Sequence, residues 1–219
     1  MFVLLPYEAD VTMWRWPTSN FILLGAIALA SLALLLGGPE AAFGGLILDG
    51  WSLTGLLGYS FVHADLFHLL GNLLFLWVFG NAVCAKVGNL AYIPLFLLFG
   101  VLAGALHNLL DGQLAVGASG AINGVIGLFL IYYPQNNIRC LWFLFIRGGS
   151  FSISSAWLIL LWLVFDLYGA VAGSGGVAYW AHVDGLAAGV GVGAATLHFQ
   201  WVEMTDTERS LLDVFAGRR

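Results

Sequence analysis

The stretch Ser119-Gly120-Ala121-Ile122-Asn123-Gly124-Val125-Ile126-Gly127-Leu128-Phe129-Leu130-Ile131-Tyr132-Tyr133 carries no charge and stops at Pro134. Its roughly fifteen residues make a helix about 22 Å long at 1.5 Å per residue, short of the ~30 Å hydrocarbon core of a bilayer. With its Tyr132, Tyr133 and Pro134 end at one interface, its Ser119 end lies several ångströms below the opposite surface. The preceding Leu114-Ala115-Val116-Gly117-Ala118 is apolar and leaves no room for another helix. It reads as a loop that dips into the membrane, which is tolerated only where protein or a water-filled cavity surrounds it.

The rest of the chain agrees with a membrane setting. Of 219 residues, 61% are hydrophobic and 9% charged, against roughly 25% charged in soluble domains. Apolar runs near the ~20 residues that cross a bilayer fall at about 21–37, 66–83, 90–107, 119–133, 155–172 and 179–199. The expectation is an all-α, polytopic bundle of six transmembrane helices with a short central fourth helix, forming one domain over 1–219. Two long connections, about 38–65 and 134–154, are expected as elaborate loops.

Lys and Arg stay on the cytoplasmic side of a membrane protein. Arg15 precedes the first run, Lys86 lies between the second and third, Arg139 and Arg147 lie between the fourth and fifth, and Arg209, Arg218 and Arg219 follow the sixth. Six spans with both termini cytoplasmic therefore put all seven basic residues inside, an arrangement that a different span count would break. The expected location is the cell (inner) membrane. An acid-bearing start with Glu8 and Asp10 is wrong for a mitochondrial presequence, and the run from Phe21 is long for a cleavable signal and reads as a retained helix. A net charge of −5 without a basic cluster excludes nucleic acid as a partner. Cys84 and Cys140 have no metal-site or disulfide spacing, and no metal or cofactor is expected.

Chemistry concentrates at the buried end of the short helix. A serine at a helix N-terminus meets unpaired N–H groups and the positive end of the dipole, which would stabilise an oxyanion beside it; it is equally a plain N-cap. His182, in Ala181-His182-Val183-Asp184-Gly185, opens the sixth run at a comparable depth, where its imidazole is placed to take the Ser119 proton. Contact requires the fourth and sixth helices to approach closely. Gly120 and Gly124 are four apart on one, as are Gly185 and Gly189 on the other, with Gly117 just before the serine. His68 and Asn72, four apart on one face of the second helix, are candidate oxyanion donors or an interhelical hydrogen-bonding pair.

His63, His68 and Asn72, then Gly117-Ala118-Ser119-Gly120 with Gly124 and Gly127, then the Ala181-His182-x-x-Gly185-x-x-x-Gly189 string, together resemble a rhomboid intramembrane serine protease. The resemblance covers all six runs. It implies a Ser119/His182 dyad with no third acid, an oxyanion hole from His68, Asn72 and the Ser119 main chain, and the bilayer as working environment. It also implies transmembrane protein substrates, unwound near the outer face and cut after a small residue. Three features depart from the family pattern. Trp51-Ser52 stands where a Trp-Arg pair is frequent, and Asn123 stands where an aromatic residue packs on the catalytic imidazole. Asp184 follows His182 by two, a step of about 200° that turns it off the histidine's face.

His63 is a candidate support for the first loop, and Asp166, an acid inside the fifth run, is a candidate cavity-lining residue. An intramembrane metalloprotease would need HExxH, which is absent; His63 and His68 are five apart with no glutamate between them. Asp166 and Asp184 lack the GxGD context of aspartyl intramembrane proteases, and a transporter would show a repeat between its halves. The competing class is a catalytically silent rhomboid-like protein that binds membrane clients, although such relatives typically lack the serine or the histidine. Oligomeric state is left open.

Overall fold

The computed structural model describes residues 2–37, 44–145, 147–173 and 176–218; residues 38–43 of the first long connection and Arg219 lie outside the described residues. The chain is mostly helical. Four helices are long and apolar enough to cross a membrane: α1 (Thr18–Leu35), α3 (Leu66–Val87), α4 (Asn89–Leu110) and α6 (Ser155–Ala172). Between α1 and α3 lies the short α2 (Leu53–Gly58). The apolar α5 (Ser119–Tyr132) has 14 residues, about 21 Å of rise. In α7 (Tyr179–His198), His182, Asp184 and four glycines dilute the hydropathy over 20 residues. A short α8 (Leu211–Phe215) follows.

Helix α5 is enclosed by the rest of the chain: Leu128, Phe129 and Tyr132 are fully buried, whereas α1, α4 and α6 carry exposed apolar side chains such as Leu29, Leu90 and Phe165. Its closest partner is α7, and glycine sets that distance. A β-carbon on Gly185 would stand 2.1 Å from the carbonyl oxygen of Gly120, one on Gly189 2.0 Å from that of Gly124, and one on Gly127 2.4 Å from that of Leu186. No side chain fits between these backbones. On its other face α5 meets α4, where a β-carbon on Gly124 would lie 2.2 Å from the Phe99 ring and one on Gly120 2.8 Å from Ala103.

Helix α3 widens to a π-helical stretch at Leu76–Gly80, which leaves backbone carbonyls in need of donors. Asn20 of α1 donates to the Leu76 carbonyl at 3.1 Å and to Asn81 Oδ1 at 2.8 Å, and accepts from the Tyr92 hydroxyl at 2.7 Å. This buried network pins α1, α3 and α4 together.

The all-α expectation is corrected by a three-stranded antiparallel sheet of order β1-β2-β3. Strand β1 (Phe2–Ala9) pairs with β2 (Asn137–Leu144), which pairs with β3 (Arg147–Ser154). The 134–154 connection is thus largely a hairpin. Alternation explains it: Ile138 and Cys140 of β2 turn inward and their neighbours outward, a period of two that a search for helical runs passes over.

The sheet lies at the Tyr133 end of α5. The Asn136 amide donates to the Asp10 carbonyl, the Asp10 N–H donates to the Asn137 carbonyl, and Arg139 pairs with Glu8 at 2.8 Å. Lys86 lies over the Tyr133 ring and pairs with Glu208, tying the tail to the α3–α4 turn. Burial alone would raise the Glu208 carboxyl, but hydrogen bonds from Lys86 and Thr205 hold it below the usual range. Lys86, Arg139 and the Glu208-bearing tail therefore meet at the end of α5 opposite Ser119.

Candidate active site

The loop into α5 is shaped before the serine is reached. The Gly117 N–H donates to the Tyr59 carbonyl at 2.9 Å, and Ala115 bridges Leu48. Gly117 takes φ +115°, a conformation that strains any side chain, and the His68 ring lies so close that a β-carbon there would be 2.6 Å from its Cε1. His63 fixes the next residue: the Ala118 N–H donates to His63 Nε2 at 3.3 Å, while His63 Nδ1 meets Ser31 Oγ at 2.9 Å. Ser31 donates onward to the Phe61 carbonyl at 3.0 Å. An imidazole that accepts at Nε2 holds its proton on Nδ1 and is neutral. Burial, with the neighbouring His68 charge, brings His63 down to about 4.

Ala118 occupies the N-cap of α5, so Ser119 is the first helical residue and its side chain does not cap the helix. The Ser119 hydroxyl instead lies 2.8 Å from His182 Nε2. The first-turn N–H groups of α5 have no partner within the helix.

Ser119 and His182 line a cavity of about 570 Å³ with His68, Asn72, Asn123 and Asp166. Phe67, Phe75, Trp162 and Phe165 make its walls largely apolar. His68 enters from the first turn of α3, where Asp65 caps the helix by accepting from the His68 N–H at 2.9 Å. The Asn72 amide donates to the His68 carbonyl at 2.9 Å. His63 is not a lining residue; its contacts are to the loop that delivers Ser119.

Asn123 donates to the Ser119 carbonyl one turn back at 3.0 Å and has no hydrogen bond to His182. The aromatic neighbour of the imidazole comes from its own helix: the Tyr179 ring meets His182 edge-on with centroids 6.2 Å apart. Ser52, at the position of the departed Trp-Arg pair, caps α2 by accepting from the Gly55 N–H at 3.0 Å. Asp184 does not line the cavity.

A carboxylate stands beside the imidazole: Asp166 of α6. Its Oδ1 lies 3.0 Å from His182 Nδ1, so the ring contacts Ser119 of α5 through one nitrogen and Asp166 of α6 through the other. The signal in the sequence was an acid inside an apolar run; its partner, sixteen residues on, emerges only when α6 packs on α7.

Apolar helices of spanning length define an integral membrane protein. Residues 50–199 match the family model described as the Rhomboid domain, more than half of the chain, and the chain belongs to the rhomboid family. It is similar to Rhomboid protease GlpG of two strains of Klebsiella pneumoniae, 28% identical over 205 residues that cover 88% of this chain and 68% of the relative. It is 33% identical over 139 residues to the mitochondrial Rhomboid protein 1 of Saccharomyces cerevisiae, covering 56% of this chain and 39% of that one.

Proposed function

We propose that the chain is an intramembrane serine endopeptidase that hydrolyses transmembrane proteins within or near the bilayer. The observation that carries this reading is the 2.8 Å contact between Ser119 Oγ and His182 Nε2 inside a cavity large enough for an extended peptide segment. Family membership and the likeness to a relative named as a protease support it.

His182 takes the hydroxyl proton as Ser119 Oγ attacks the scissile carbonyl. The carbonyl oxygen becomes an oxyanion, held by the first-turn N–H groups of α5 with His68 and Asn72. His182 then gives its proton to the leaving amine, and water hydrolyses the acyl-enzyme by the reverse proton path. A peptide bond inside a helix is shielded by its neighbours, so the substrate segment must unwind before attack. Small or helix-breaking residues near the cut serve that need. No cofactor or metal enters these steps.

Six helices, α1, α3, α4, α5, α6 and α7, are read as the spans, with the basic sheet end cytoplasmic and the Ser119 end toward the outer face. Glycines 117, 120, 124, 185 and 189 act as the packing surface that brings nucleophile and base together, and His63 as the support of the serine loop.

The test is cleavage of a single-pass test protein in liposomes by the purified chain. The reading predicts a discrete cut by the wild type and none by Ser119→Ala or His182→Ala. Undiminished cleavage by either variant contradicts it, and stable binding of the test protein without a cut supports the client-binding alternative instead.

A further inference from the structure

Asp166 is the acid inside α6, flanked by Phe165 and Leu167 on a helix whose outer face is apolar and exposed. A carboxylate there is costly unless used. Two carboxylates line the cavity, and they are spent differently: Asp65 caps α3 through the His68 N–H, whereas Asp166 meets the imidazole of His182 at 3.0 Å. Side-chain exposure is 15% for His182 and 18% for Asp166, so water competes little for the contact.

The two contacts of the ring decide its proton. A neutral imidazole has one N–H and one acceptor nitrogen, and an ionised carboxylate only accepts. Asp166 therefore draws the proton to Nδ1 and leaves the Nε2 lone pair facing the Ser119 hydroxyl 2.8 Å away. Asn123 makes no hydrogen bond to the ring, so no group on α5 other than Ser119 orients it through one.

We infer that Asp166 is the positioning carboxylate of this site, converting the serine and histidine pair into an in-membrane triad shared among three helices. When Ser119 Oγ bonds to the scissile carbon, its proton passes to Nε2, and the imidazolium formed is paired with Asp166 through Nδ1–H. Asp166 accepts from Nδ1–H throughout. The Nε2 proton then goes to the leaving nitrogen as the C–N bond breaks, and the ring returns to its starting tautomer. Because Asp166 rides on α6, displacement of α6 from α7 uncouples the base from its orienter.

The inference rests on the peptidase reading, and its test separates the two. With Asp166→Asn the amide donates to Nδ1, which moves the ring proton to Nε2, where it cannot accept from serine. The expected result is a fall in kcat of roughly 10²- to 10⁴-fold with KM unchanged. His68 and Tyr179, the other titratable groups near the ring, are unchanged in this variant. Asp166→Glu recovers part of the rate. In the wild type, nuclear magnetic resonance of labelled histidine should show the His182 proton on Nδ1 with a strongly downfield shift. Wild-type kcat in Asp166→Asn, or a His182 proton on Nε2 in the wild type, overturns the inference. Failure of the wild type to cleave defeats the peptidase reading, and the proton position still decides the role of Asp166.

Discussion

Gly189 of α7 lies against Gly124 of α5 so closely that a β-carbon on Gly189 would be 2.0 Å from the Gly124 carbonyl oxygen and 2.8 Å from its carbon. Backbone on one side and backbone on the other leave nothing that can rotate away. The same two helices carry Ser119 and His182 about one and a half to two turns nearer their N-terminal ends, so the glycine contact sets the spacing of the two side chains.

Gly189→Ala must therefore separate α5 from α7. Overpacking of this kind costs about 1–3 kcal/mol, and a displacement near 1 Å at the reacting groups costs about 10²-fold in rate. Gly191, on the same helix, has nothing within 4 Å of a built β-carbon, and Gly191→Ala is expected to be neutral within about 0.5 kcal/mol. Thermal unfolding and cleavage rates of the two variants check this; equal behaviour of both contradicts the role given to the Gly124–Gly189 contact.

Gly117→Ala tests the loop that delivers the serine. The substitution meets both the strained φ of +115° and the His68 ring at 2.6 Å. Cleavage is expected to fall at least tenfold, with loss of His68 from its place beside the α5 N-terminus as the cause. A wild-type rate from a folded Gly117→Ala would show that His68 need not lie there.

His63 makes a pH-dependent contribution with a definite sign. Burial, with the His68 charge beside it, lowers the folded value to about 4, against an ordinary 6.5 in the unfolded chain. Between those values the unfolded state binds the proton and the folded state does not, so stability falls as pH drops from about 6.5 to 4. The full difference is about 3 kcal/mol. His63→Gln, which keeps polar atoms but does not titrate, should flatten that part of the stability profile. Thermal midpoints at pH 7 and 4.5 for both proteins check it, and an unchanged slope in the variant contradicts it.

The sequence made the helical part of the fold legible because lipid demands long apolar runs, and α1, α4 and α6 meet that demand with little ambiguity. It was less direct about the sheet. Strand β1 holds Pro6 and Tyr7 in a short apolar segment, and β3 runs Arg147-Gly148-Gly149-Ser150, neither of which looks like a span or a strongly alternating strand. Their pairing depends on β2 lying between them, a long-range fact. The same limit applies to the site. Ser119 and His182 stood out because motif and depth coincided, whereas the partner of Asp166 depended on which face of α6 turned toward α7. At Asn123 the amide turns back to the Ser119 carbonyl, the local bond available to an asparagine inside a helix, and not toward the histidine.

The central claim is that His182 activates Ser119 as a nucleophile. The most direct measurement is mass spectrometric location of the adduct formed when the folded protein, in detergent or liposomes, reacts with a fluorophosphonate. The account predicts a single modified serine, Ser119, and loss of that adduct in His182→Ala and in the unfolded chain. No adduct, an adduct on another serine, or undiminished labelling in His182→Ala would contradict it.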